Sequence, residues 1–377
     1  MYIRLFYFIS LSFCLLSSCK KNEDPLLNES SSLTIVYLEA NNNLRMEARK
    51  TINDLEKGVA ISGNPKNTII AYIKDNDSYG YLLKISPDNS AYNIISDTIK
   101  VFDWQDKSNA EHIKTVLNYI SSEFQSDYYN LILWSHGTSW APNLSDHSQF
   151  QPFSFGEDRG KQIDILDLKE ALPMYFNYII FDACSMASIE VLYEFRNKAK
   201  YIVASPTDIL SDGFPYDQII PFISGKNQED VCKIADTYIQ VYDKMEGLNK
   251  SASVSVTDMV KIDKIARYVK SINSKRANKY YKTNKVQRLD FTPGFPVPLY
   301  DFGDFIAENY SIDEHAEVKK ILEEVIIYKN STPSFLGNEV STFSGMAISA
   351  PDNSSAYYDY YVNLGWNKNV EMFPYQN

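Results

Sequence analysis

The chain is poor in cysteine and histidine, with four residues of each among 377. Cys14 and Cys19 lie in or beside an apolar run at the amino terminus, so only Cys184 and Cys232 remain for the globular part. Two thiols exclude a disulfide framework. Cys232 belongs to a helical pattern of apolar residues, which predicts a buried core thiol.

An excess of basic residues is also lacking. The chain has 37 Lys and Arg against 48 Asp and Glu, a formal net charge of −11, and no segment forms a basic patch. This excludes a nucleic-acid groove and therefore a nucleic-acid partner. An acidic surface is ordinary for a solvated extracytoplasmic protein, and it weakly favours basic substrates.

One apolar run, from Leu5 to Leu16, follows Arg4 and has the length of a secretory signal rather than of a membrane span. It ends in Leu16-Ser-Ser-Cys19, which resembles the bacterial lipobox, in which the signal is cut before the cysteine and the cysteine carries lipid. We therefore expect a signal peptide over 1–18, lipid on Cys19, a flexible tether over 19–32 and an extracytoplasmic protein anchored in the bacterial cell envelope. An ordinary signal peptide is the alternative.

Short β-branched runs alternate with amphipathic segments beyond residue 32. The pattern predicts strands at 33–38, 67–73, 130–134, 178–182 and 201–205, with helices at 44–57, 108–124, 163–175 and 185–196. This order is typical of an α/β fold with a mostly parallel sheet covered on both faces. A hairpin at 79–85 and 91–95 is also predicted.

The pattern changes near residue 223 to longer helical segments, at 228–245 and 260–281, with a strand-like stretch at 252–257 between them. We expect a core domain over 33–223 and a C-terminal α+β extension over 224–377 that packs on the core. A further strand is expected within 342–349.

Two of the predicted strands each end in a reactive side chain. His136 and Gly137 follow the strand that ends at Trp134, and Cys184 follows the strand that ends at Asp182. Because the carboxyl ends of parallel strands meet at one edge of a sheet, the thiol and the imidazole can form a nucleophile and its base. The sequence therefore predicts cysteine-dependent acyl transfer.

Two further features would serve this chemistry. The amino end of the predicted helix after Cys184 would favour a thiolate, and the backbone amides of Gly137 and Cys184 are candidate donors to an oxyanion. Gly137 is alternatively a simple turn glycine. The other histidines, His112, His147 and His315, are predicted to lie at the surface.

Five blocks of sequence, in this order, resemble the clostripain family of cysteine peptidases, which shares a clan with caspases, legumains and gingipains. The resemblance implies a caspase-like α/β/α sandwich, a catalytic dyad of His136 and Cys184, and cleavage after Arg or Lys in protein or peptide substrates. The blocks are Trp134-Ser-His-Gly137, Ser154-Phe-Gly-Glu-Asp158, Phe181-Asp-Ala-Cys-Ser-Met186 with Ile189-Glu-Val-Leu-Tyr-Glu194, Ala204-Ser205, and Asp212-Gly-Phe-Pro-Tyr216.

The same resemblance places the family's specificity carboxylate at Asp182, where it would pair with the basic side chain of the substrate. Capping the next helix or orienting His136 are the alternatives. Asp212 is expected to form a second acidic wall, with Asp208 nearly as good a candidate. The sequence departs from the family at 138–139 and at Ser185.

Members of the family are commonly processed between the histidine and the cysteine, so self-cleavage within 138–183, after Arg159 or Lys161, is an expectation; a permanent single chain is the alternative. Calcium dependence occurs in the family, but no loop here has a calcium signature, and no metal or cofactor site is assigned. Two other functions stay open: a catalytically silent surface lipoprotein that binds peptide or glycan, and a transpeptidase.

Overall fold

The computed structural model describes residues 31–62, 68–90, 93–104, 109–142, 154–277 and 279–374. The expected signal peptide, Cys19 and nearly all of the tether lie outside these ranges, as does His147. Within the described ranges, no helix combines the length and the apolar character needed to cross a membrane. From Ser31 onward, the described residues belong to one compact unit.

Among the described residues from 32 to 204, strands and helices largely alternate, as predicted. The strands are β1 Ser32–Glu39, β2 Thr68–Lys74, β3 Tyr79–Lys84, β4 Asp97–Asp103, β5 Tyr128–Trp134, β6 Phe155–Asp158, β7 Lys161–Ile163, β8 Phe176–Asp182, β9 Ala199–Ala204, β10 Ser253–Asp258, β11 Leu299–Asp301, β12 Ile326–Ser331, β13 Ser334–Phe335, β14 Asn338–Glu339 and β15 Ala347–Ser349. The helices are α1 Arg45–Ser62, α2 Asn109–Glu123, α3 Ile165–Ala171, α4 Ile189–Glu194, α5 Tyr216–Ile223, α6 Gln228–Asp243, α7 Asp263–Asn273, α8 Phe302–Asn309, α9 Ile312–Val325, α10 Tyr358–Asn363 and α11 Gly365–Val370.

The main sheet has nine described strands in the order β12-β10-β9-β8-β5-β1-β2-β3-β4. Its five middle strands, from β9 to β2, run parallel. Antiparallel pairs complete both edges. The expected α/β fold with a mostly parallel sheet is confirmed. Because β10 and β12 lie beyond residue 223, both halves of the chain build one sheet.

Each face of the sheet is covered by its own apolar core. Successive residues of β1 alternate between them: Ile35 and Tyr37 point into one core, and Val36 and Leu38 into the other. This period of two is what a strand buried on both faces requires. Residues of α2, α3, α4, α7 and α9 join the first core, and residues of α1, α5 and α6 join the second. The layers form the predicted α/β/α sandwich.

Some local expectations were wrong. His112 is 1% exposed rather than at the surface, because it lies on the inner face of α2 and stacks on Trp104 with ring centroids 4.2 Å apart. The second strand of the predicted hairpin is β4 at 97–103. The helix expected at 163–175 is the shorter α3, because residue 163 ends β7. Cys232 is half-buried beside the second core, and His315 is half-buried on α9.

A buried polar network joins the ends of β1 and β2 to β6. Lys74 Nζ lies 2.8 Å from Asp158 Oδ2, and the Asn41 amide donates to Asp158 Oδ1 at 2.6 Å. Glu39 is fully buried beside them, and burial raises its pKa to about 8. Because Lys74 and Asn41 both bind Asp158, the hairpin of β6 and β7 is fixed against the edge of the sheet that carries His136.

Candidate active site

His136 and Cys184 stand at the same edge of two neighbouring parallel strands. In the pairing of β5 with β8, Trp134 lies opposite Asp182, and the two reactive residues each come two positions later. Both line one cavity of about 280 Å³. The full lining is Leu44, Trp134, Ser135, His136, Asp182, Ala183, Cys184, Asp208, Ile209, Leu210, Ser211, Gly213, Thr292 and Leu336.

Gly137 packs directly on the backbone of the cysteine. A Cβ at this position would lie 2.7 Å from the Cys184 carbonyl oxygen and 3.1 Å from its amide nitrogen, so only glycine allows the approach. The neighbouring Thr138 amide and His136 carbonyl pair with the β6 segment, which turns the Gly137 N–H the other way. Among the described residues, neither the Gly137 nor the Cys184 amide donates a backbone hydrogen bond.

The imidazole of His136 is oriented by Asn43, a residue that the sequence reasoning missed. His136 Nε2 lies 2.7 Å from Asn43 Oδ1. Because an amide oxygen only accepts, Nε2 carries the proton and Nδ1 of the neutral ring is free to accept one. Burial lowers the pKa of His136, and the nearby Glu157 opposes this. The signal was the polar run Asn41-Asn-Asn43 after β1, at the same sheet edge.

The thiol of Cys184 is held by the backbone of Ile209. The Ile209 amide donates to Sγ at 3.3 Å, and Sγ–H donates to the Ile209 carbonyl oxygen at 3.7 Å. Burial raises the pKa of the Cys184 thiol well above its usual value, and the charge of Asp208 raises it further. The sulfur is therefore protonated in this arrangement.

The expectation of a helix amino terminus at Cys184 was wrong. Residues 183–187 form a turn followed by an extended segment, and α4 begins only at Ile189. The Ser185 and Ala187 amides donate instead to the Thr207 and Ser205 carbonyls. Ser185 has a φ of 62°, a left-handed conformation that is uncommon for residues other than glycine.

Asp182 forms the buried acidic floor of the cavity. Its Oδ2 accepts hydrogen bonds from the Tyr216 hydroxyl at 2.7 Å and from the Phe214 amide at 3.2 Å. A Cβ at residue 213 would lie 2.7 Å from the same oxygen, which explains the glycine there, at φ 63°. Burial raises the pKa of Asp182 to about 6, although the two hydrogen bonds act to lower it. Three residues of the block Asp212-Gly-Phe-Pro-Tyr216 thus contact this carboxylate.

The second carboxylate in the cavity is Asp208. Its oxygens accept from the hydroxyls of Ser185 and Thr292, and burial raises its pKa. Asp212, which we expected in this place, has a side chain that is 65% exposed and lies 3.8 Å from Lys50 Nζ. The structure does not bring Asp212 into the lining of the cavity.

The family is settled by comparison with known proteins. The model of the clostripain family matches residues 36–375. The chain belongs to the clostripain family of cysteine peptidases. One relative, the clostripain of Hathewaya histolytica, is 22% identical to this chain over an alignment that covers 89% of this chain and 78% of that protein.

Solved structures share the fold of this clostripain-family chain. A secreted C11 cysteine protease from Bacteroides thetaiotaomicron, iotapain, gives a TM-score of 0.78 at 24% identity, with 90% of this chain and 99% of that chain covered. An inactive zymogen of a C11 protease from Parabacteroides distasonis gives a TM-score of 0.73 at 24% identity, with 90% and 98% covered.

The C-terminal half of this clostripain-family chain also reaches the cavity. Thr292 lies in the loop before β11, and Leu336 lies at the tip of the hairpin formed by β13 and β14. Sequence reasoning did not find either residue, since no local pattern marks a loop that packs against strands far earlier in the chain.

The residues expected to be self-cleavage sites lie on the hairpin of β6 and β7. Arg159 and Gly160 are its two turn residues, both at positive φ, and Lys161 begins β7. The side chains of Arg159 and Lys161 are exposed. Within the described part of this clostripain-family chain, no three His, Cys, Asp or Glu side chains are grouped so as to hold a metal ion.

Proposed function

We propose that this peptidase hydrolyses peptide bonds on the carboxyl side of Arg or Lys, with Cys184 as nucleophile and His136 as general base and acid. The observation that carries the proposal is one cavity in which a thiol, an imidazole and two carboxylates meet. The thiol and imidazole supply the chemistry. The carboxylates select substrates that carry a basic side chain.

The charge balance of the cavity supports a basic substrate side chain. Asp182 and Asp208 accept hydrogen bonds from neutral donors only, and within the described residues neither forms an ion pair with Lys or Arg. A buried carboxylate without a cation is unfavourable. A guanidinium or ammonium group from a substrate would remove that penalty, and it would make charge-assisted hydrogen bonds that a neutral side chain cannot make.

The same cation would also activate the nucleophile. The negative charges of Asp208 and Asp182 both raise the pKa of Cys184. A positive charge placed between them offsets that effect and lowers the pKa of the thiol, so that His136 can accept its proton. A substrate with a basic side chain therefore lowers the pKa of the thiol when it binds, whereas a neutral substrate leaves the sulfur protonated.

The reaction then proceeds through two acyl transfers. The Cys184 proton passes to His136, and the sulfur attacks the carbonyl carbon of the bond that follows the basic residue. The Gly137 and Cys184 amides donate to the oxyanion. His136 returns the proton to the leaving amine, which leaves a thioester on Cys184. His136 next takes a proton from water, whose oxygen attacks the thioester. His136 then returns that proton to the departing sulfur, which releases the acid and restores the free thiol.

A panel of reporter peptides that differ only in the residue before the scissile bond tests the proposal. We expect kcat/KM for Arg or Lys to exceed that for Gln or Asp at least about 100-fold, because only the cations pair with the carboxylates. Equal rates for Arg and Gln would contradict it. A silent binding protein would release no reporter from any peptide, and a transpeptidase would give ligated product by mass when an amine is added.

Self-processing after Arg159 or Lys161 is part of the proposal. Both residues are exposed and follow the His136 segment, and one similar structure is described as an inactive zymogen. Arg159 sits in a tight turn with its amide bonded to the Asn41 carbonyl. Cleavage there requires local opening of the hairpin, and the cut ends stay attached because β5 and β8 remain paired in the sheet.

We also propose that the protein is held at a membrane outside the cytoplasm through lipid on Cys19. The lipobox-like sequence supports this, and a similar protease is described as secreted. Expression in a bacterium with the lipoprotein pathway should place the wild type in the membrane fraction. Metabolic labelling with a radioactive fatty acid should mark the wild type, and Cys19→Ser should lose the label because it has no thiol to carry lipid. Cys14→Ser is the matched control and should keep the label; loss of label from both variants, or label retained in Cys19→Ser, would contradict a specific role of Cys19.

A further inference from the structure

Leu336 has a backbone conformation that its residue type disfavours. It forms, with Gly337, the two-residue turn between β13 and β14, and both residues have positive φ, 46° and 81°. Turns of this kind favour Asn, Asp or Gly at the first position. A leucine at this place is an outlier, and such outliers cluster at functional sites.

The surroundings enforce this conformation. The Leu336 amide donates to Ser251 Oγ at 2.7 Å. The preceding residue, Phe335, is fully buried and stacks on Phe291 with ring centroids 5.8 Å apart. The turn is therefore a fixed part of the fold, and its position relative to β10 is set by several contacts.

The stacked phenylalanines bring two C-terminal residues to the catalytic cavity. Thr292 follows Phe291, Leu336 follows Phe335, and both line the cavity with Cys184. Thr292 has a polar task there, since its hydroxyl donates to Asp208. Leu336 has no polar group to offer, so its contribution to the cavity is apolar surface.

We propose that Leu336 is a specificity-determining residue, which selects an apolar side chain on the residue next to the basic one. The lining of the cavity includes two kinds of group: the carboxylates of Asp182 and Asp208, and apolar side chains such as Leu336 and Ile209. A basic side chain occupies the first. The neighbouring substrate side chain then meets the second, where burial of apolar surface stabilises the complex. This inference rests on the proposed cleavage after Arg or Lys.

The test uses two pairs of quenched fluorescent peptides, with Leu or Gly on the amino side or on the carboxyl side of a single Arg. In at least one of the two pairs, the wild type should cleave the Leu peptide with a kcat/KM about tenfold higher than that of the Gly peptide. Leu336→Asn should bring this ratio of Leu to Gly close to one. Leu336→Met should keep the preference. Leu336→Asn should unfold at the same temperature as the wild type or higher, because Asn tolerates positive φ. If Leu336 served only to stabilise the fold, the substitution would lower the unfolding temperature.

Leu248→Asn is the matched control, since Leu248 is 62% exposed beside the turn and does not line the cavity. It should keep the wild-type ratio. Equal rates for Leu and Gly in both pairs, or a ratio that survives in Leu336→Asn, would overturn the inference. Failure of the proposed function looks different, since Gln peptides would then be cleaved as fast as Arg peptides. If no peptide is cleaved, fluorescence anisotropy can measure how tightly Cys184→Ala binds the Leu and the Gly peptides. Equal affinities for the two peptides would overturn the inference.

Discussion

Cys184→Ala is expected to abolish hydrolysis of Arg and Lys reporter peptides, with a loss of at least about 10⁴-fold in kcat. The variant has no sulfur to form the thioester, so His136 and the oxyanion donors have no reaction to assist. Stopped assays at high enzyme concentration measure the residual rate. The free energy of unfolding should change by less than about 1 kcal/mol, because the half-buried thiol makes two weak hydrogen bonds with the Ile209 backbone and alanine removes one sulfur atom.

Cys232→Ala is the matched control, because Cys232 is also half-buried and free. It should keep wild-type kcat, since Cys232 does not line the cavity. Residual hydrolysis by Cys184→Ala within tenfold of wild type would show that another group is the nucleophile. The same pair of proteins reports on self-processing: fragments that end at Arg159 or Lys161 should occur in wild type and be missing from Cys184→Ala.

Asp182→Asn is expected to lower kcat/KM for Arg peptides by about 10²- to 10⁴-fold. The substitution keeps the size of the side chain and an oxygen for the Tyr216 and Phe214 donors, and it removes the charge that pairs with the guanidinium. Rates for an otherwise identical citrulline peptide, which has no positive charge, should change little. A charge effect therefore appears as a collapsed ratio of Arg to citrulline rates.

The same variant should be more stable than wild type at neutral pH. Burial raises the pKa of Asp182 in the fold to about 6, above its value in the unfolded chain, so the folded state binds this proton more tightly. Ionisation of Asp182 then costs stability as the pH rises from about 4 to 6, and the cost is complete above that range. Asparagine never ionises. Denaturant titrations should give a gain of about 1–3 kcal/mol at pH 7 and little difference at pH 4.

Asp212→Asn is the control for charge and for sequence position. Its side chain is largely exposed and faces Lys50, so the same chemical change should alter kcat/KM less than about twofold. A large loss in Asp212→Asn together with a small one in Asp182→Asn would contradict the assignment of the acidic floor.

The sequence was sufficient for the features that depend on local pattern. The apolar runs before His136 and before Cys184 are strands because each is buried on both faces, and parallel neighbours must end at one edge. Asp182 was named because it stands two residues before Cys184, where the family resemblance places a specificity carboxylate, and it does line the cavity. The chemistry of the site therefore follows from two strand ends and one motif.

What failed depends on contacts between distant segments. The helix after Cys184 starts late because Ala187 pairs with Ser205 and with Ala347, and this competes with helical hydrogen bonds. His112 is buried because Trp104 supplies a stacking partner. Leu336 reaches the cavity through a turn, and hydrophobic periodicity has no information about where a turn will pack.

Both halves of the chain contribute strands to one sheet, and this limits where the enzyme can be truncated. β9 lies next to the strand of the nucleophile and is bonded on its other side by β10. A gene fragment ending near residue 223 would keep both reactive side chains and leave that edge open, and it would remove Val254 and Val256 from the second core. The catalytic half is therefore not a portable module, and altered substrate preference has to be engineered by exchanging turns within the complete polypeptide.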